Sequence, residues 1–299
     1  MKGKVLNIIF VITLFSFTIY IILNTFILTK VYVKVENNSD KVIEKQEEKD
    51  SEEEKIDITN TSYKDSNIKI EINELRKENT TVYVADIKLS DSSYLKTAFA
   101  KSSYGKNITE KTSEISSSVN AILSINGDYY GVQESGYVLK NGVIYRNNSS
   151  NNQEDLVIYK DGSFKIINEN DISAEELLDE GAYNILSFGP ALVQNSIVTV
   201  EENEEVGKAM GSNPRTAIGI IEKNHYVFVV SDGRTSESTG LSLYELANVL
   251  KELGCQTAYN LDGGGSSTMV FNKEVINNPT TMGRTISERS VSDIVYIGY

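Results

Sequence analysis

Tyr259-Asn260-Leu261-Asp262-Gly263-Gly264-Gly265-Ser266-Ser267-Thr268-Met269-Val270 is the stretch from which the rest of the chain can be read. Gln256 to Leu261 has the apolar content of a short buried strand, and Thr268 to Phe271 that of a second. Between them stand a carboxylate, three consecutive glycines and three hydroxyl side chains. Glycine loses more backbone entropy on ordering than any other residue, so three in a row weaken a fold unless backbone must approach something closely. Bare N–H groups ringed by hydroxyls form a nest for phosphate or another oxyanion, and a plain flexible turn is the competing reading. The carboxylate at the strand end favours a site, because loops at strand ends are where chemistry sits.

Immediately upstream lies the clearest helix of the chain, Ser242 to Leu253. Ser242 and Glu245 form a capping box, Leu243, Leu246, Ala247, Leu250 and Leu253 make one apolar stripe, and Gly254 stops it. The strands Ala217–Ile221 and Tyr226–Val230 precede that helix, so 226–261 is the one βαβ-like passage. Elsewhere the pattern is β-rich. Ile68 to Ile72 alternates strictly, Thr81–Leu89 and Tyr94–Ala100 are strand-like, and Asn141-Gly142 and Asp161-Gly162 are hairpin turns. A helix is expected over Asn107–Val119 with Asn107 as N-cap, and a shorter one after Ser173 that Gly181 closes. Ala121 to Ile125, Ala191 to Val193 and Val291 to Ile297 complete the strands. Many hairpins and few helices predict an α+β fold, with an antiparallel or mixed β-sheet core and a few flanking helices.

The N-terminus reads differently. Val5 to Leu28 is almost wholly apolar, long enough for a hydrocarbon core that takes about 20 residues. Lys2 and Lys4 precede it, which under the positive-inside rule puts the N-terminus in the cytoplasm. The run is longer than a typical signal core and lacks an Ala-x-Ala-like exit, so an uncleaved transmembrane anchor is preferred to a cleaved signal peptide. Residues 1–30 are thus expected to anchor the protein, residues 31–67 to form an acidic disordered stalk, and residues 68–299 to make the folded domain. The expected location is the cell membrane, single-pass, with the body extracytoplasmic. The chain carries 29 Lys and Arg against 42 Asp and Glu, a net charge of −13, which argues against nucleic acid as a partner.

Elimination narrows the chemistry. His225 and Cys255 are the only histidine and cysteine, too few for an ordinary zinc site, and no motif recruits them to a nucleophilic triad. Cys255 is expected to be a buried structural thiol and His225 a solvated turn residue. No P-loop and no G-x-G-x-x-G opening a helix is present. No cofactor is called for, although carboxylates of this kind would accept a bound calcium. What remains are carboxylates, arginines, asparagines and glycine N–H groups. Asp128, Asp232 and Asp262 each follow an apolar strand, as do Asn126 and Arg234, and Arg215 precedes one. Each alone is also readable as a surface residue. Converging on one cleft, they suit a phosphorylated sugar: acid or base chemistry at the anomeric carbon, with positive charge for the phosphate.

Five ordered motifs carry a family likeness: Asn126-Gly127-Asp128-Tyr129-Tyr130, Asn213-Pro214-Arg215-Thr216-Ala217-Ile218-Gly219, Asp232-Gly233-Arg234, Gly240 to Ala247, and Asn260 to Thr268. Together they resemble the phosphodiester glycosidase family over about residues 80 to 299. The resemblance implies cleavage of a sugar from a sugar-1-phosphodiester, with a bacterial envelope polymer such as an exopolysaccharide or glycosylated teichoic acid as the natural substrate. It puts Asp262, Asp128 and Asp232 forward as catalytic carboxylates. Arg215, Arg234, Asn126, Gly263, Gly264, Gly265, Ser266 and Ser267 are the expected substrate and phosphate contacts. Animal members have Asn-Gly-Gly where this chain has Asp128. A non-catalytic binder of anionic glycans and a calcium-assisted phosphodiesterase are the alternatives.

Overall fold

The computed structural model describes residues 2–35, 56–203, 205 and 211–299. Alternation of apolar and polar residues builds two principal sheets. The larger has nine strands in the spatial order β15 (Ile197–Val198), β14 (Ala191–Gln194), β18 (Thr257–Leu261), β16 (Arg215–Glu222), β17 (His225–Ser231), β5 (Thr80–Leu89), β4 (Ile68–Lys77), β3 (Ser62–Lys64) and β2 (Asp57–Ile58). The smaller has five: β20 (Glu274–Val275), β19 (Met269–Phe271), β8 (Leu123–Asn126), β21 (Asp293–Ile297) and β6 (Leu95–Phe99). A three-stranded sheet centres β11 (Glu154–Tyr159) between β12 (Phe164–Asn168) and β13 (Ala182–Leu186). Two pairs complete the set, β9 (Val138–Lys140) with β10 (Val143–Arg146) and β1 (Lys30–Lys34) with β7 (Ser103–Lys106). Pairing among these strands is antiparallel throughout. The helices are α1 (Lys2–Ile22), α2 (Thr112–Ser118), α3 (Ala174–Asp179) and α4 (Leu243–Glu252). The α+β expectation holds, with the mixed-sheet option removed.

The main core lies between the two large sheets. Ile70, Ile87, Ile218, Phe228 and Tyr259 of the larger sheet share one buried cluster with Leu123, Ile125, Val295 and Ile297 of the smaller. On β17 the alternation splits cleanly: Tyr226, Phe228 and Val230 enter that cluster, while Val227 and Val229 enter a second one with Leu243, Leu246 and Leu250 of α4. Both faces of β17 are therefore covered, which is why it reads as a continuous apolar run. β16 and β17 form a hairpin, and α4 then carries the chain across to β18 on the other side of β16. The motif-bearing ends of β16, β17 and β18 are thereby gathered at one sheet end. Ser242 caps α4, its hydroxyl accepting from Glu245 N, and Asn141 and Gly142 take φ of +51° and +78°, as a tight hairpin turn demands.

Three local expectations are corrected. The helix expected over Asn107–Val119 is confined to Thr112–Ser118. Asn107 is in left-handed backbone at φ +56° and donates its side-chain amide to Thr25 O and Leu28 O, closing the end of the N-terminal helix instead of opening α2. His225 is no solvated turn residue, because it begins β17 with only 13% of its side chain exposed and its Nε2 2.9 Å from Asp86. The folded body also begins before residue 68. β2 and β3 extend the large sheet, with Tyr63 buried at 6% and its hydroxyl donating to Asp65. Of the expected stalk, residues 36–55 lie outside the described residues, and 31–34 belong to β1, which begins in the expected anchor at Lys30. The polar and acidic composition around Tyr63 masked the one buried apolar side chain that ties β2 and β3 down.

Burying a large apolar side chain is worth about 1.5–3 kcal/mol. Tyr63→Ala is therefore expected to lower unfolding free energy by about 2 kcal/mol or more in urea denaturation. An unchanged midpoint would show that β2 and β3 add nothing to the body.

Candidate active site

The site is framed by Asn126 at the end of β8. Its Nδ2 donates to the Asp262 carbonyl at 2.6 Å, and its Oδ1 accepts from Thr216 Oγ1 at 2.8 Å and from Thr268 N at 3.2 Å. One fully buried amide thus ties the small sheet to β16 and β18 of the large one. Alongside it, Asn213-Pro214 threads between backbones that tolerate no side chain. A Cβ on Gly233 would lie 2.6 Å from Pro214 N, one on Gly240 2.4 Å from Asn213 C, and one on Gly263 2.9 Å from Pro214 O.

Asp262 emerges from this frame at the end of β18. Ser266 Oγ donates to its Oδ2 at 2.5 Å, and Arg289 Nη2 lies 3.3 and 3.1 Å from its two oxygens. Arg289 also donates to Ser266 Oγ and to Gly263 O. Burial pushes the Asp262 carboxyl above the usual carboxylate range, against the pull of Arg289, Ser266 and the Gly263 N–H. Arg289 Nη1 makes no bond among the described residues, and its side chain is 41% exposed. Arg234 stands beside it: burial and then the Arg289 charge lower its pKa. Its guanidinium is braced by Asn213 Oδ1 and Thr281 O, and its backbone sits at φ +62°. A non-glycine residue held in that region carries strain of order 1–3 kcal/mol, a signature that clusters at functional positions. Gly264, itself at φ +62°, lies under this guanidinium, where a Cβ would meet Arg234 Nη2 at 2.8 Å.

The other expected residues take different places. Arg215 is 2% exposed; its Nη2 pairs with Glu205 at 2.5 Å and bonds Gly211 O, and its Nε bonds Leu241 O. Asp232 accepts from Asn278 N at 2.8 Å and Asn278 Nδ2 at 2.9 Å, which fastens the loop after β20. Asp128 is wholly enclosed: its Oδ2 is 3.1 Å from Lys140 Nζ and accepts from Ser187 N, and its Oδ1 accepts from Tyr130 N. The glycine run turns much of its hydrogen bonding inward, with Gly264 N donating to Pro214 O and Ser266 and Ser267 N to Gly263 and Gly264 O. Among the described residues Ser267 Oγ and Thr268 Oγ1 are buried without hydrogen-bond partners. Gly265 is crowded by Thr281 Oγ1 at 2.3 Å from its virtual Cβ. Among the described residues no group of three or more His, Cys, Asp or Glu is arranged to hold a metal ion.

Three participants were missed: Arg289, Lys140 and Asp293. Lys140 Nζ lies 3.1 Å from Asp128 and 2.7 Å from Asp293, all three side chains being at most 2% exposed. Burial works against the Lys140 charge, and the two aspartates more than offset it, raising its pKa. Lys140 and Asp293 were legible, since each occupies the inward phase of an apolar strand, Lys140 with Val138 and Asp293 with Val295 and Ile297. Arg289, in a polar loop 27 residues after Asp262, had no such signal.

The two-sheet α+β body has known counterparts. The phosphodiester glycosidase family model matches residues 119–298, and the chain belongs to that family. It is 30% identical over 177 residues to the SPbeta prophage-derived uncharacterized protein YomE of Bacillus subtilis, covering 58% of this chain and 26% of that protein. It is 31% identical over 123 residues to the mouse N-acetylglucosamine-1-phosphodiester alpha-N-acetylglucosaminidase, covering 36% of this chain and 24% of the mouse enzyme. The chain thus spans about a quarter of the length of these relatives. In three dimensions it resembles the zebrafish N-acetylglucosamine-1-phosphodiester alpha-N-acetylglucosaminidase catalytic domain auto-inhibited by pro-peptide, with a TM-score of 0.61 at 19% identity over 78% of this chain and 83% of that one. A hypothetical protein from Synechocystis aligns with a TM-score of 0.59 at 14% identity, over 78% and 62% of the two chains.

The buried triad makes stability pH-dependent. Burial, and then the Asp128 charge, push the Asp293 carboxyl from 3.8 up to about 7. Between those values the folded state holds a proton that the unfolded chain releases, so stability falls as pH rises through that window. Asp293→Asn should remove this fall, measured as denaturant midpoints from pH 4 to 8 and compared with the unaltered chain. An identical slope in both proteins would place the titration elsewhere.

Proposed function

We propose that the protein is a membrane-anchored, extracytoplasmic hydrolase that cleaves the sugar–phosphate bond of a sugar-1-phosphodiester in a cell-envelope glycan. N-acetylglucosamine is the model sugar, given the names of the animal relatives. The carrying observation is Asp262, buried and bridged by Arg289 with Arg234 beside it. Two guanidiniums at the mouth suit a phosphodiester, because arginine's fork matches phosphate oxygens bidentately. A carboxylate with a raised pKa suits proton uptake near neutral pH. In the proposed reaction a water oxygen adds to the anomeric carbon as Asp262 takes its proton. The bond from that carbon to the phosphate oxygen breaks, and its electrons leave with the phosphate. The arginines neutralise the departing group. Asp128, Asp232 and Arg215, each enclosed by its own partners, are assigned to positioning: Asp128 through Lys140, Asp232 through Asn278, Arg215 through Glu205.

The apolar run Lys4–Ile27, with mean hydropathy 2.5, supports the anchor. Protease added to intact cells is expected to digest the body, and a protected body would reverse the orientation.

Turnover of a synthetic N-acetylglucosamine-1-phosphodiester, with products identified, tests the activity. Free sugar plus phosphomonoester is the expected outcome. Sugar phosphate plus alcohol would point to a phosphodiesterase, and no turnover to a binder. Asp262→Asn keeps the shape without the charge and should lower turnover by about 100-fold or more, the usual contribution of a positioned acid–base group. Full activity in a folded Asp262→Asn protein would remove Asp262 from the mechanism.

A further inference from the structure

The join between the N-terminal helix and the body has almost no slack. The apolar helical run ends at Ile27, and β1 begins at Lys30. Two intervening residues reach at most about 7 Å. Asn107 clasps the junction, donating to Thr25 O and Leu28 O while its own N–H bonds Gly131 O. β1 then pairs with β7, Val31 opposite Gly105 and Val33 opposite Tyr104. The approach is so close that a Cβ on Gly105 would lie 1.9 Å from Lys30 O. The run of 24 residues is about 36 Å long at 1.5 Å per residue, against a hydrocarbon core of about 30 Å. A spanning helix of that length brings β1 out at the headgroup layer.

What the body presents there is apolar. Val31, Tyr32 and Val33 are 54%, 57% and 44% exposed, and Tyr129 and Val132 are 43% and 37% exposed. The turn that carries the second pair borders the first, since its Tyr130 and Gly131, with Gln133 and Glu134 just beyond, line one small cleft with Tyr32. Valine and tyrosine beside lysine is the composition of a membrane–water interface, where aromatic rings sit among headgroups and lysines snorkel outward. An apolar surface adjoining a membrane helix, with no protein covering it among the described residues, fits lipid as its occupant.

We propose that the body docks on the bilayer, with β1 and the Tyr129–Val132 turn seated in the headgroup layer. This rests on the anchoring reading above. The same turn follows Asp128, and Gly127 O accepts from Asp262 N. Five residues from Val132 to Gly127 span at most about 18 Å. The candidate site therefore works on glycan phosphodiesters presented at the membrane surface.

The chain contains no tryptophan, so single tryptophans report without background. Phe10→Trp, Val132→Trp and Tyr244→Trp would each be placed in the full chain and reconstituted in phospholipid vesicles containing brominated acyl chains. Phe10→Trp reports on the anchor, Val132→Trp on the docked face and Tyr244→Trp on α4, which packs against the large sheet. Side chains at an interface sit about 5–10 Å into the headgroup–acyl boundary, so Val132→Trp should lose roughly half its emission or more, and Tyr244→Trp little. Asn107→Ala in the Val132→Trp background should reduce that loss. Tyr32→Trp repeats the measurement should Val132→Trp misfold. Quenching at Phe10→Trp, with Val132→Trp and Tyr32→Trp both matching Tyr244→Trp, would overturn docking and leave the anchor standing. No quenching at Phe10→Trp would overturn the anchor and docking together.

Discussion

The Asn126 side chain is the joint on which the candidate site depends. Two sheets packed through apolar side chains alone can slide relative to each other by small amounts, because dispersion has no direction. Asn126 removes that freedom with bonds to the Asp262 carbonyl, the Thr216 hydroxyl and the Thr268 N–H. All are buried, so losing the amide would strand several polar groups at about 1–3 kcal/mol each. The registration of Asp262 against the small sheet is therefore set by polar geometry and only supported by the core. Asparagine suits this place because a single side chain both donates and accepts.

Around that joint the charges are sorted by depth. Lys140 with Asp128 and Asp293 lies fully inside, where removal of one partner leaves an uncompensated charge and breaking such a pair typically costs about 3–5 kcal/mol. Arg215 with Glu205 is nearly as deep. Asp262 is buried but its arginine partner reaches solvent, and Arg234 is exposed. The inner pairs can specify geometry without meeting a ligand. Only the outer layer combines a desolvated carboxylate with cations open to an arriving anion.

The fold class, the hairpin turns and α4 were legible because each is a local pattern: alternation along Ile68–Ile72, φ-permissive Asn141-Gly142, the Ser242/Glu245 box. The carboxylate at the end of β18 was legible for the same reason, as a polar residue where an apolar run stops. Depth was not legible. Arg215 and Arg234 look alike as basic residues beside strands, yet one is enclosed by Glu205, Gly211 and Leu241 and the other is not. Arg289 meets Asp262 only because the loop before β21 folds back across the glycine turn, a contact that no local period encodes. Asn107 shows the converse. Expected to accept from the first turn of a following helix, its side chain instead donates to the last carbonyls of one 79 or more residues upstream.

Strand order in the small sheet has a consequence for biogenesis. β8 is hydrogen-bonded on one side to β19 and on the other to β21, both more than 140 residues later in the chain. As the polypeptide leaves the ribosome, Asp128 and Lys140 emerge long before Asp293, and Asn126 long before Asp262 and Thr268. The N-terminal helix and the β4–β5 hairpin can form early, but the small sheet and its buried Lys140 centre have to wait for β21. A nascent chain halted anywhere before residue 293 would lack the strand that pairs with both β8 and β6, leaving the small sheet unclosed. Closure of the small sheet, and with it the frame around Asn126, is thus a late event in the folding of the described residues.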